Sequence, residues 1–390
     1  MKKAFILVIA VLAAAAAAFS VPACERNPII VHRGDTGADA LDDHDAVEVP
    51  GPDGADVPGE GDAAADPAAG DPDAAQDALP EAVDAPEENE EPRPPPDPPD
   101  ELGPYIVGTI DDTFHDTQWG EYAVTVYFPA DYEGTDLVPA REDGPFPPVV
   151  FVHGYMGNID SNEWLGWHLA SWGYVTALLG VPNSMRFDPQ QWADGIMDAI
   201  DYLIEKNEAG FALEGMIDEE NIGAAGHSMG AMGAILAVSQ DERIDACVPM
   251  APAYYTTGGL MEEFFGAIVE ACESLEAAVQ LQVGTKDRLC PPDGVQAYYD
   301  HLPPPREIII FAGGNHMGFL EAGMEYDTSN LFDNPPDIPR EEQVRLAKKY
   351  MTSWFHYYLK GWSEYAAFIF GDEVAADLDS GVLSHLEFTE

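Results

Sequence analysis

The chain is poor in positive charge: 17 Lys and Arg stand against 71 Asp and Glu in 390 residues, a formal net charge of −54. Binding to nucleic acid depends on cations that displace the counterions around phosphates, so a nucleic-acid partner is excluded as a function class. Cysteine is scarce too. Four residues with no C-x-x-C pair offer no zinc framework, and no metal is expected. Of the three beyond residue 240 (Cys247, Cys272 and Cys290), buried or free thiols are the favoured reading; an oxidising compartment would allow one bridge, Cys272 to Cys290. No Asp-x-Asp-x-Asp-Gly loop closes on a glutamate, which argues against a dedicated calcium site among the many carboxylates. Nothing in the chain implies an organic cofactor. Long apolar runs are confined to the first residues.

That run, MKKAFILVIAVLAAAAAAFS, has two lysines ahead of it and small residues Val21 and Ala23 where a signal peptidase would cut. Residues 1–23 are therefore expected to be a signal peptide, and the chain to be exported. Cys24, directly after Ala23, suggests lipidation and a cell-envelope lipoprotein, although Pro22 fits that signal poorly; the other outcome is plain secretion. Membrane contact is expected only through such an anchor. Residues 24–103 consist largely of Asp, Glu, Ala, Pro and Gly with almost no aromatics, too little apolar surface to offset the entropy of ordering. They read as a disordered acidic tether spanning about 50 Å, stiffened at PRPPPDPPD into polyproline II.

Residues 104–390 alternate strand-like and helix-like segments, which predicts an α/β architecture: a mostly parallel central sheet of about eight strands with helices on both faces. Residues 105–110 and 122–128 read as an opening antiparallel pair. The buried runs PPVVFVHG, YVTALLG, NIGAAG, IDACVPM, AVQLQVG and REIIIFA follow as strands. Over 191–206, Trp192, Ile196, Ile200 and Leu203 recur at the spacing of one helix face, and a final helix should stop at Gly361.

The stretch GAAGHSMGAMG (223–233) holds one serine between two glycines. A G-x-S-x-G pentad alone is weak, arising by chance in on the order of one in ten chains of such composition. Its setting is stronger: it closes an apolar strand and opens an Ala/Met/Leu-rich helix, the strand-turn-helix that lifts a serine hydroxyl onto a strained apex. Ser228 is thus the candidate nucleophile. A serine needs a base and a carboxylate to orient that base, in the order Ser, acid, His. Asp287 follows the strand AVQLQVG, and His316 follows IIIFAGG. Loops at the carboxyl ends of parallel strands share one rim, so these three can meet. Asp293, in PPDG, is the rival acid but looks like a turn residue. Among competing histidines, His227 should point away into the elbow and His153 should brace the neighbouring loop, while His115, His168, His301, His356 and His385 sit at no such strand end. Two main-chain amides, of Tyr155 in HGYMGN and of Met229 after the serine, are placed to form an oxyanion hole.

HGYMGN, GHSMG, GTKD and GGNH together resemble the α/β-hydrolase superfamily, and more closely the polyester hydrolases and bacterial cutinases, with relatives among the dienelactone hydrolases and platelet-activating-factor acetylhydrolases. GPYIVGTI, YAVTVYFPADY, LASWGYVTALLGVPNS and the DAIDYL helix look like that group in order and spacing, from Gly103 to about Gly361. The resemblance implies triad roles for Ser228, Asp287 and His316, and oxyanion and substrate-wall roles for Tyr155 and Met229. Polyester enzymes carry a tryptophan where this chain has MAPAYYTTGG, so Tyr254 or Tyr255 would replace it in substrate binding. The stretch 254–275 is longer than such a connection needs; it reads as a helix packed on the sheet or as a partial lid. The cysteine pair that staples the C-terminus of polyester enzymes has no counterpart.

The expected activity is a serine hydrolase cleaving small or polymeric carboxylic esters through an acyl-serine, acting as a monomer. The alternatives are a hydrolase-fold surface module that binds without turnover, and a lipase or acyltransferase using the same triad.

Overall fold

The computed structural model describes residues 97–390 other than 134–135, 255–259 and 322–332. The expected signal peptide, Cys24 and most of the acidic tether lie outside the described residues. Asp97 to Gly103, read from sequence as tether, lie against the folded part: the Pro99 carbonyl accepts from His168, Glu101 O from the Trp172 indole, and Asp100 pairs with Arg345 at 2.8 Å.

One sheet of ten strands organises the described residues, in the order β1 (Ile106–Asp116), β2 (Gly120–Glu133), β5 (Val175–Gly180), β4 (Pro148–Val152), β6 (Ile222–His227), β7 (Ile244–Met250), β8 (Ala278–Gly284), β9 (Arg306–Phe311) and β10 (Leu383–Thr389); β3 (Asp136–Pro139) pairs with β2. From β5 to β9 all neighbours run parallel, and β1, β2, β3 and β10 add antiparallel edges. The mostly parallel α/β sheet expected from the alternation of segments is therefore present, and it is consistent with the α/β-hydrolase fold that the resemblance implies. Two strands exceed the expectation. β3 is four polar-flanked residues, and β10 follows the helix read as the end of the fold; neither has apolar alternation strong enough to betray it.

The central strands are apolar throughout because both faces are covered: every residue of PVVFV in β4 and of IGAAGH in β6 is buried. Among the described residues the α-helices are α1 (Glu163–Ser171), α2 (Pro189–Asn207), α3 (Met229–Gln240), α4 (Leu260–Ala271), α5 (Pro292–His301), α6 (Arg340–Lys360) and α7 (Asp372–Asp379). In α2, Trp192, Ile196, Ile200 and Leu203 are all buried, as their spacing predicts. Pro189 opens that helix, where its missing N–H costs nothing. Gly361 closes α6 in the left-handed conformation with φ 65°, the C-cap geometry a side chain disfavours. The stretch expected as packed helix or lid contains α4, whose Phe265, Ile268 and Val269 are buried in the main core, so this part is a packed helix. Cys247, Cys272 and Cys290 are all free and buried, so the Cys272–Cys290 bridge does not form.

Candidate active site

β4, β6, β8 and β9 run parallel, so the segments that leave them converge on one rim. Ser228 sits between β6 and α3 with φ 57° and ψ −115°, a conformation a non-glycine residue holds only when its surroundings force it. The flanking glycines supply that force. A Cβ on Gly226 would collide with the Gly230 carbonyl, and one on Gly230 with the carbonyl of Val152 in β4. The elbow is thereby pressed against the sheet, and the Ser228 amide is tied to Met250 O at 2.9 Å.

The acid and the base follow β8 and β9. His316 Nδ1 lies 2.8 Å from Asp287 Oδ2, and both side chains are buried. Asp293, the rival acid, lies in the first turn of α5. Burial pushes the Asp287 carboxyl above its ordinary value, opposed by the imidazole and by the Cys290 amide, which donates to Oδ1 at 2.6 Å. Burial alone would lower His316, but the Asp287 carboxylate and the Cys290 side chain outweigh it and raise the imidazole well above 6.5.

Beside both base and serine stands a residue that the sequence marked only as a thiol. The Cys290 thiol is within hydrogen-bonding reach of both Ser228 and His316, while no direct hydrogen bond joins those two among the described residues. Burial raises this thiol above its ordinary value, with His316 and Ser228 pulling the other way. Only its position three residues after Asp287 could have drawn attention to it. Asp333 was missed as well. Its carboxylate accepts the amides of Arg288 (2.9 Å), His316 (2.7 Å) and Met317 (3.2 Å), and so clamps the acid loop to the histidine loop. Gln343 of α6 supports the same loop through the Asn315 amide and carbonyl.

The loop after β4 lies against the serine: a Cβ on Gly154 would sit 3.0 Å from Ser228 Cβ. Tyr155 follows directly, and Met229 is the first residue of α3, where amides have no helical acceptor. His153 does brace this loop, its Nδ1 lying 2.7 Å from Gly154 O, and burial lowers it to about 4, so it is neutral. His227 departs from expectation. Its ring packs 4.6 Å from that of His316 instead of pointing away; both its nitrogens are buried and lack a well-aligned hydrogen bond, with the His316 main chain within reach. Burial, then the charge of His316, holds it well below its ordinary value.

Of the proposed substrate residues, the Tyr155 ring meets Phe187 at 6.0 Å, and Phe187 meets Phe265 of α4 at 6.1 Å. Phe187 is 47% exposed, and the sequence did not single it out because its strand-to-helix segment has no periodicity. Tyr254 packs edge-on against Tyr298 of α5, and no described contact joins it to Ser228 or His316. Tyr255 lies outside the described residues. One group of three metal-capable side chains occurs among the described residues: Asp287, Cys290 and His316.

A family model described as PET hydrolase-like matches residues 112–278, a span that includes Ser228 and ends before Asp287. The chain is 34% identical to Cutinase 2 of Thermobifida cellulosilytica over 119 residues, covering 30% of this chain and 44% of that one. It is 31% identical to Lipase 1 of Moraxella sp. (strain TA144) over 149 residues, 38% and 42% of the two chains. Against the bis(hydroxyethyl) terephthalate hydrolase of Streptomyces coelicolor it is 30% identical over 156 residues, 38% and 44%. The chain thus spans less than half the length of these relatives, and it resembles the polyester hydrolases and cutinases within the α/β-hydrolase fold.

Proposed function

We propose that the protein is an exported serine hydrolase that cleaves carboxylic esters through an acyl-serine intermediate. One observation carries this: a serine held at φ 57° on a strand-to-helix elbow, on the rim where a buried Asp287–His316 pair is hydrogen-bonded at 2.8 Å. In this reading His316 takes the Ser228 proton as Oγ attacks the ester carbonyl, and Asp287 holds the imidazole in the tautomer that can accept it. Amides of Tyr155 and Met229 receive the negative charge that develops on the carbonyl oxygen. The imidazolium then protonates the departing alcohol, and water, activated by the same base, releases the acid. Hydrogen bonds of this kind commonly tighten only when substrate is bound, so serine and base need no direct bond beforehand.

The similarity to enzymes named cutinase and terephthalate-ester hydrolase supports esters, small or polymeric, as the substrate class. Tyr155 and Phe187 would form its aromatic wall. Export rests on the N-terminal run and Ala23, and attachment to the cell envelope on lipidation of Cys24. Turnover of p-nitrophenyl acetate and butyrate by the wild type and Ser228→Ala tests the proposal. Loss of nearly all activity, together with labelling of the wild type alone by a fluorophosphonate, is expected. Equal rates in the two proteins would remove Ser228 from the reaction.

A further inference from the structure

Among the described residues, three that are not glycine have positive φ: Met156 (63°), Ser228 (57°) and Ala251 (52°). Each follows the carboxyl end of one of three neighbouring strands, β4, β6 and β7, on the rim that carries the candidate site. Strain of this kind persists only where the surroundings impose it. Ser228 belongs to the elbow, and Ala251 follows Met250, whose carbonyl accepts the Ser228 amide. Met156 lies elsewhere, directly after Tyr155, the proposed oxyanion donor.

The Gly157 amide donates to Gly154 O at 3.0 Å and closes a four-residue turn in which Met156, third in order, alone has positive φ. This is a type II turn, whose third position suits glycine or asparagine. A type I turn would join the same ends with Met156 at negative φ and without strain, but with its central peptide flipped by roughly 180°. The segment after β5 opposes that flip: the Met156 amide donates to Ser184 O at 2.8 Å. In the flipped turn the Tyr155 carbonyl would face the same oxygen, two acceptors with no donor between them. Two further contacts join these segments. The Val181 amide donates to His153 Nε2 at 3.4 Å, and the Tyr155 ring meets that of Phe187.

We infer that Ser184, through its main-chain carbonyl, is a positioning residue for the oxyanion hole: it latches the Tyr155–Met156 peptide in an orientation that methionine by itself disfavours, and thereby fixes the loop that carries the Tyr155 amide. A turn freed from this latch shifts its donor away from the place where charge develops, and small displacements of that kind are costly to the rate. The catalytic consequence rests on the esterase reading; the latch itself does not.

Met156→Gly and Met156→Val in the full chain test the inference. Glycine enters the left-handed region freely, whereas a β-branched side chain resists it. Met156→Val should lower kcat for p-nitrophenyl butyrate by about 10- to 100-fold with KM changed less than about twofold, measured on protein of known folded fraction. Met156→Gly, which loses the side chain and keeps the turn, should hold kcat within about threefold of the wild type. Hydrogen exchange supplies a readout that needs no substrate: in the wild type the amide at position 156 should exchange at least about tenfold more slowly than an unstructured peptide amide. Full kcat in Met156→Val, an equal loss in both variants, or an unprotected wild-type amide at 156 would each overturn the inference. If the wild type hydrolyses no ester, the esterase reading fails, and the exchange rate still decides whether Ser184 holds the turn.

Discussion

Asp333 Oδ2 accepts the backbone amide of His316 at 2.7 Å, while the other oxygen of the same carboxylate accepts the Arg288 amide beside Asp287. One buried side chain thus sets the distance between the two loops that carry the proposed acid and base. Asp333→Ala leaves those amides without an acceptor, at a cost of about 1–3 kcal/mol. It should lower kcat by about 10- to 100-fold with little change in KM. A purely structural role would lower thermal stability and leave the kcat of the folded fraction unchanged, so steady-state kinetics on protein of known folded fraction separates the two.

The base works only when neutral. Asp287 and Cys290 raise His316 well above 6.5, so activity should be present at high pH and lost as pH falls through a value above 6.5. Cys290→Ala removes one of the raising contributions and should move that acid limb downward. The measurement is kcat/KM against pH for both proteins. An acid limb that His316→Ala leaves in place in the residual activity, or no acid limb in the wild type at all, contradicts the assignment of His316 as base.

Gly230 packs against the backbone of Val152 so closely that a methyl group there meets a carbonyl that cannot move without disturbing β4. Gly230→Ala should destabilise the fold by about 1–3 kcal/mol and displace the Ser228 hydroxyl, with activity falling more than stability alone explains. Thermal denaturation and turnover at a temperature where the variant remains folded check both halves. A fully active variant of native stability would show that the elbow yields.

Phe187 stands exposed beside Tyr155. Removing its ring forfeits an aromatic contact worth about 1 kcal/mol. Phe187→Ala should therefore raise KM by about fivefold for aromatic esters and less for acetate esters. Equal effects on both substrates would exclude the ring from the acyl or alcohol pocket.

What the sequence determined by itself was local. A serine between glycines at the junction of an apolar strand and an apolar helix dictates an elbow, because only residues without side chains allow α3 to lie against β4 so closely. Asp287 and His316 were legible because each comes within a few residues of a strand end, and parallel strands send such residues to the same rim. The tertiary structure alone decided what fills the space between them. Cys290 looked like one more buried thiol, His227 was expected to point away into the elbow and Asp333 drew no notice, because contacts across separate loops leave no periodic trace in the chain. Tyr254 was drawn to Tyr298 and Phe187 to Tyr155 by packing that depends on how α4 and α5 seat on the sheet. β10 likewise needed the free edge of β9, which exists only once the sheet has formed.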